Sequence, residues 1–186
     1  MTISDTPPVC SIAAFNGCRL LGSKLYVTGQ PSAAGYAQIA AAGVQWVLSV
    51  RNPNETAPPA PPFDVNEPQS LLNLNVLYAN VPVTHGMPQA AFNQAATVAA
   101  VSMLSLLELG TALIHCSSGD RASAIVAVAL IATGTASNAD AAAFAEQNLL
   151  LSNPQIEGYV LAYQPPSWFN ELLGPAAREQ GKLLTV

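Results

Sequence analysis

Residues 111–123 read Thr111-Ala-Leu-Ile-His115-Cys116-Ser117-Ser118-Gly119-Asp120-Arg121-Ala122-Ser123. Thr111 to His115 is a short apolar run of the kind buried inside a sheet. Cys116 falls at its carboxyl end, small residues follow, and an apolar helix is expected from about Ala122 to Ala132. A strand that feeds a helix through a tight loop is the unit of an α/β sheet, whose ligands collect at the carboxyl ends of the strands.

Each part of this segment has a chemical use. Successive loop amides and the helix N-terminus form a nest of donors that favours anions. The same field favours a thiolate at Cys116, the nucleophilic form of cysteine. Gly119 removes side-chain bulk where backbone must approach an oxyanion. Arg121 brings a planar fork matched to two phosphate oxygens. Ser123 is placed to donate to the sulfur or assist its departure. Ser117, Ser118, Gly119, Asp120 and Ser123 are therefore candidate anion-binding residues around a catalytic pair, Cys116 and Arg121. A carboxylate at Asp120 weakens anion binding unless it is turned away.

Outward from the loop the pattern alternates. Leu25 to Thr28 is a strand candidate ending at Gly29. Ser32 caps a helix through Ala42, and Gly43 stops it. Val44 to Val50 is rich in β-branched residues and predicts a central strand ending at Arg51. Ala57 to Pro68 holds five prolines and predicts a surface loop with no helix. Val76 to Val81 predicts a strand. Pro88 opens a helix to about Leu109, with Gly110 after it and a core stripe of Val98, Val101, Leu104 and Leu107. Ser137 caps a further helix with Asp140 in its first turn. From Pro154 onward the chain reads as a mostly helical extension. The expectation is one α/β domain over residues 1–186, a mainly parallel sheet flanked by helices, with its motif-bearing core at about 24–150 and the extension at about 154–186.

The chain has 186 residues, 51% hydrophobic and 9% charged, with a net charge of −5. That acidic balance argues against a nucleic-acid partner. The longest apolar run, Ala122 to Thr133, is about a dozen residues, short of the ~20 that span a bilayer, so no membrane partner is expected. Met1 to Pro8 carries no Lys or Arg and lacks the features of a secretory signal, which makes the cytoplasm the expected location. The three cysteines Cys10, Cys18 and Cys116 have no metal-ligand spacing, and neither a metal nor a cofactor is expected. Cys10 and Cys18 would bridge in an exported chain and stay packed thiols in a reducing one.

His115-Cys116-Ser-Ser-Gly-Asp-Arg121 resembles the signature loop of the cysteine-dependent protein phosphatases. Four residues separate Cys116 from Arg121, one fewer than in the common form of that loop. The shorter form is similar to the bacterial phosphatase-like domain also found in beta-lactamase hydrolase-like proteins, and to rhodanese loops. Leu25-Tyr-Val-Thr-Gly-Gln-Pro-Ser32, Gly43-Val-Gln-Trp-Val-Leu-Ser-Val-Arg51 with Glu55, and Tyr78-Ala-Asn-Val-Pro-Val83 resemble the first of these over roughly residues 24–150. The resemblance implies a phosphatase-like three-layer domain. It also implies a phosphomonoesterase of dual-specificity type, in which Cys116 forms a phosphocysteine and Arg121 clamps the phosphate. It places an acidic residue after Val83, but the aspartates are Asp5, Asp64, Asp120 and Asp140, and His85 occupies that loop. A histidine can donate a proton near neutral pH. The implied substrate is a phosphorylated small molecule or a phosphoprotein.

Three readings therefore stand open: a phosphatase, a phosphate-binding domain with little turnover, and a sulfurtransferase carrying a Cys116 persulfide. Other residues have two readings each. His115 is a loop-stabilising residue or a base. Arg51 binds an anionic substrate or pairs with Glu55. Asp64 is a solvated loop carboxylate or swings into the site.

Overall fold

The computed structural model describes Cys10, residues 17–55, residues 63–169 and Leu184. The strands are β1 (Cys18–Leu21), β2 (Leu25–Thr28), β3 (Trp46–Ser49), β4 (Leu77–Asn80) and β5 (Ala112–His115). They form a sheet in the order β1-β2-β5-β3-β4. β2, β5, β3 and β4 run parallel, and β1 pairs antiparallel with β2. The mainly parallel sheet matches expectation; the β1–β2 hairpin was not read from the sequence.

Helices cover both faces. α1 (Ala33–Ala41) and α2 (Glu67–Leu72) lie on one side, with Tyr36, Ile39 and Leu71 packed against Val47 and Leu113. α3 (Gln89–Leu109), α4 (Asp120–Ala132), α5 (Asn138–Asn148) and α6 (Pro154–Leu161) lie on the other, over Val27, Leu48 and Ile114. The period of two in β5 decides which way its last side chains go. Leu113 and His115 point to the α1–α2 side, while Ile114 and Cys116 point to the α3–α4 side.

Several helix ends follow the sequence rules. Gly43 is left-handed at φ 76° beyond α1, and the Ser137 hydroxyl accepts the Asp140 N–H at 3.2 Å. Two expectations need correction. The proline-rich stretch does contain a helix start: α2 begins at Glu67, and Pro68 occupies its first turn, where a missing N–H costs nothing. Residues 57–62 of that stretch lie outside the described residues. Val98 is 44% exposed, and the buried face of α3 is Phe92, Ala96, Ala99, Ala100, Met103, Leu104 and Leu107. Of the two readings open for Cys10 and Cys18, the structure has the disulfide, with Cα atoms 5.2 Å apart, tying Cys10 to β1.

By length and composition α3 is apolar enough to cross a membrane, but its inner face is packed into the core. Of the C-terminal extension, α6 and residues 162–169 are described, with Phe169 buried among core residues.

Candidate active site

The parallel register aligns Thr28, His115 and Ser49 across the sheet. The next residues of each strand therefore emerge together at one edge: Gly29 and Gln30, Val50 and Arg51, and Cys116. Asn80 joins them by donating to the Ser49 and Arg51 carbonyls at 3.0 and 2.9 Å.

The segment after β5 turns back on Cys116. Gly119 is left-handed at φ 103°, and its N–H donates to Cys116 Sγ at 3.1 Å. A Cβ there would lie 2.5 Å from Leu150 Cδ1, so the bulk that Gly119 avoids is Leu150. α4 starts at the next residue, and its first-turn amides have no acceptor within the helix. The loop rests on β2: Gln30 N–H donates to the Ser117 carbonyl at 3.0 Å, and a Cβ on Gly29 would meet that oxygen at 2.9 Å. The sequence marked Gly29 only as a strand end, not as the seat of the loop.

Arg121 is fully buried. Its Nη1 donates to Glu55 Oε1 and, at 2.8 Å, to the Val83 carbonyl. Its Nη2 donates to Glu55 Oε2 at 2.8 Å and to Ser117 Oγ at 3.1 Å. These bonds use four of the five guanidinium hydrogens. The fifth, on Nε, is buried with no protein oxygen to accept it, and the Cys116 sulfur beside it acts on the arginine through its charge and a side-chain hydrogen bond. A buried donor left without an oxygen beside a nucleophile marks a place for an acceptor atom of a ligand. Burial pushes the Glu55 carboxyl up, but the Arg121 hydrogen bonds and charge, the Asn52 N–H and Arg51 outweigh it and hold it below the usual carboxylate range.

The other expected site residues fall as follows. Asp120 is inside the loop but its carboxylate is directed to the segment before α6. Oδ1 accepts the Ser152 and Asn153 N–H groups at 2.7 and 2.9 Å and the Ser152 hydroxyl at 3.1 Å. Oδ2 accepts the Ser118 hydroxyl at 2.6 Å. Burial raises its carboxyl and these four bonds more than reverse that, so it ionises below the usual range. The Asp120 carboxylate is therefore turned away from the cup, the condition under which a carboxylate in this loop does not weaken anion binding, and its oxygens serve a structural latch. Ser118 serves that latch through its hydroxyl. Ser123 is also buried, and its Oγ accepts the Leu150 N–H at 3.0 Å; it makes no hydrogen bond to the sulfur, which corrects the expected donation there.

Arg51 is buried, with Nε 3.4 Å from Glu55 Oε2 and Nη1 donating to Gln30 Oε1 at 3.1 Å. The ion pair with Glu55 is the reading the geometry follows. His115 Nε2 lies 3.1 Å from Glu67 Oε1, both side chains fully buried, and its Nδ1 is 3.3 Å from the Cys116 carbonyl. That is the loop-stabilising arrangement. Asp64 accepts the Tyr36 hydroxyl at 2.7 Å and the Asn66 N–H at 2.9 Å, so it is anchored between α1 and α2.

His85 is exposed in the loop after β4. Partial desolvation of its ring, with the Arg121 charge, pushes its pKa below the ordinary 6.5 against the opposing pull of Glu55 and Asp120. Those charges place the imidazole within electrostatic reach of the cup. Glu67 was missed altogether, since nothing in its local sequence distinguishes it from a loop carboxylate. Glu55 was legible only as a neighbour of Arg51. Among the described residues no group of three or more His, Cys, Asp or Glu side chains is placed to hold a metal ion. The described cations are Arg19, Lys24, Arg51 and Arg121, and the two at the site are both buried.

No family model matches the chain, and no curated protein matches it in sequence. Solved structures do match it in shape. TpbA of P. aeruginosa aligns with a TM-score of 0.65 at 16% identity, covering 92% of this chain and 96% of that one. A DUF442 protein from Shewanella putrefaciens CN-32 aligns at 0.59 and 17% identity, covering 80% and 89%. The core catalytic domain of the PP-IP phosphatase SIW14 from S. cerevisiae aligns at 0.59 and 12% identity, covering 84% and 89%. Sheet order, the Cys116 loop and these likenesses agree: the chain has the fold of the cysteine-dependent, protein-tyrosine-phosphatase-like phosphatases.

Proposed function

We propose that the chain is a cysteine-dependent phosphomonoesterase of dual-specificity type. The observation that carries this is the Arg121 Nε–H, buried beside the Cys116 sulfur with no protein oxygen to accept it, while every other guanidinium hydrogen is fixed by the protein. The phosphoryl oxygens take that donor and the first amides of α4. The Cys116 thiolate attacks phosphorus, the S–P bond forms and the P–O ester bond breaks, and the leaving oxygen takes a proton from His85. Water then attacks the phosphocysteine, giving up a proton to His85 and releasing inorganic phosphate and the thiolate. A structure of TpbA in complex with pTyr supports the reading of a phosphate ester as substrate. The substrate is a phosphorylated small molecule or phosphoprotein. The net charge of −5 supports the absence of a nucleic-acid partner.

One observation favours a second reading. The loop after Val83 carries His85, pushed toward its neutral form, where a carboxylic acid would make a stronger catalyst. A phosphate-binding domain with little turnover fits that departure. The test is hydrolysis of p-nitrophenyl phosphate by the wild type and by Cys116→Ser, with and without orthovanadate. Turnover that vanishes in the variant and is blocked by vanadate is expected. Turnover that survives in Cys116→Ser removes the proposal, and phosphate binding without turnover selects the second reading.

A further inference from the structure

We propose that Gln30 is a positioning residue for the arginine clamp. Its side-chain amide separates two buried opposite charges and so assigns Arg51 to Glu55, which in turn holds Arg121. This rests on the reading of Arg121 as the clamp.

Arg51 and Glu67 are both fully buried and both lie at the α1–α2 side of the strand ends. Opposite charges removed from water attract strongly, and their simplest arrangement is direct contact. Gln30 stands in the way. Its Oε1 accepts Arg51 Nη1 at 3.1 Å, and its Nε2 donates to Glu67 Oε2 at 3.2 Å. A primary amide offers an acceptor on one side and donors on the other, which is what a cation and an anion on opposite sides require. The reversed amide would aim N–H at the guanidinium and oxygen at the carboxylate, so the network fixes its orientation.

Held this way, Arg51 turns its Nε to Glu55 Oε2, the oxygen that also receives Arg121 Nη2. Glu67's other oxygen lies 3.1 Å from His115 Nε2, in contact but without a hydrogen bond, and the His115 ring adjoins the Cys116 carbonyl. One line of polar contacts therefore runs from the backbone of the nucleophile to the guanidinium of the clamp, and Gln30 is its middle link. Its own backbone N–H is bonded to Ser117, so a side-chain substitution leaves the loop's seat intact.

The experiment compares wild type, Gln30→Met, Glu55→Gln and the double variant, in p-nitrophenyl phosphate kinetics and thermal melting. Methionine keeps the length and loses both hydrogen bonds. The expected result is a roughly 10-fold fall in kcat/KM for Gln30→Met in the wild-type background. The fall shrinks to within about 2-fold in the Glu55→Gln background, because the loss is transmitted through Glu55, and thermal melting checks that all four proteins are folded at the assay temperature. Equal losses in the two backgrounds, or no loss in either, overturn the proposal. If the wild type has no turnover, the phosphatase reading fails separately, and a crystal structure of Gln30→Met decides this one. Arg51 turned to Glu67 with the Glu55–Arg121 fork opened supports it. Arg51 and Arg121 unmoved overturn it.

Discussion

Asp120 and Ser152 are joined through the backbone: the carboxylate of the first accepts the N–H of the second at 2.7 Å. The same carboxylate takes the Asn153 N–H and the Ser118 hydroxyl. A negative charge in an anion-binding loop is tolerated because its lone pairs are spent on the segment before α6. The loop is thus braced from behind by a residue that sequence position places in front.

Removing that brace costs stability. Asp120→Ala leaves two backbone N–H groups and a hydroxyl without their acceptor, and a loss of about 2–4 kcal/mol is expected in denaturant unfolding. The pH dependence has a definite sign. Its carboxyl ionises below the usual range when folded, so the stabilisation is present above the unfolded pKa and fades as pH falls through the folded one. Asp120→Asn should flatten that acid limb, and an unchanged limb would contradict the latch.

Glu55 orients Arg121 through both carboxylate oxygens. Glu55→Gln keeps the shape, loses the charge and can accept with one oxygen only. The expected result is a kcat/KM for an aryl phosphate lower by roughly 10- to 100-fold, with weaker vanadate inhibition. Inhibition constants equal to wild type would show that the fork needs no such support.

The role of His85 is read from leaving groups. Phenol needs a proton as it departs; p-nitrophenol hardly does. His85→Ala should cut kcat/KM, which reports only the steps up to the phosphocysteine, by roughly 100-fold on phenyl phosphate and barely change it on p-nitrophenyl phosphate. The acid is active only while protonated, and its pKa lies below the ordinary 6.5. The kcat/KM for phenyl phosphate should therefore fall as pH rises through a value under 6.5, and His85→Ala should lack that limb. Equal losses on both esters would remove His85 from the acid role.

The cysteines allow a direct count. With Cys10 and Cys18 bridged, unfolded protein that has not been reduced should titrate as one thiol, Cys116; a cytoplasmic chain should titrate as three. Reduction should lower stability by about 2–3 kcal/mol, the scale for closing a short loop. Three thiols in protein recovered from its native compartment would favour the cytoplasm.

The Cys116 loop was legible because its signal is local: an apolar run, a small-residue turn and a helix start stand within thirteen residues of one another. The parallel sheet followed from the alternation around it. The buried charge network was not legible, because it is made by contacts such as Gln30 to Glu67, 37 positions apart. Glu67 sits beside Pro68 in a stretch whose prolines spoke against any helix, and the rule that admits proline to a first turn was the one that decided. The partners of Ser123 and of the Asp120 carboxylate were not legible for a related reason. Leu150, Ser152 and Asn153 arrive from a segment with no periodic signature of its own.

The scarcity of exposed cations at the cup sets how a substrate is met. Arg51 and Arg121 are shielded inside the fold, and the molecule as a whole is an anion of −5. Among the described residues, then, no exposed arginine or lysine at the cup reaches out through solvent to draw in a dianionic ester. Capture is a matter of contact, and its rate should be almost indifferent to ionic strength, or rise slightly as salt masks the mutual repulsion.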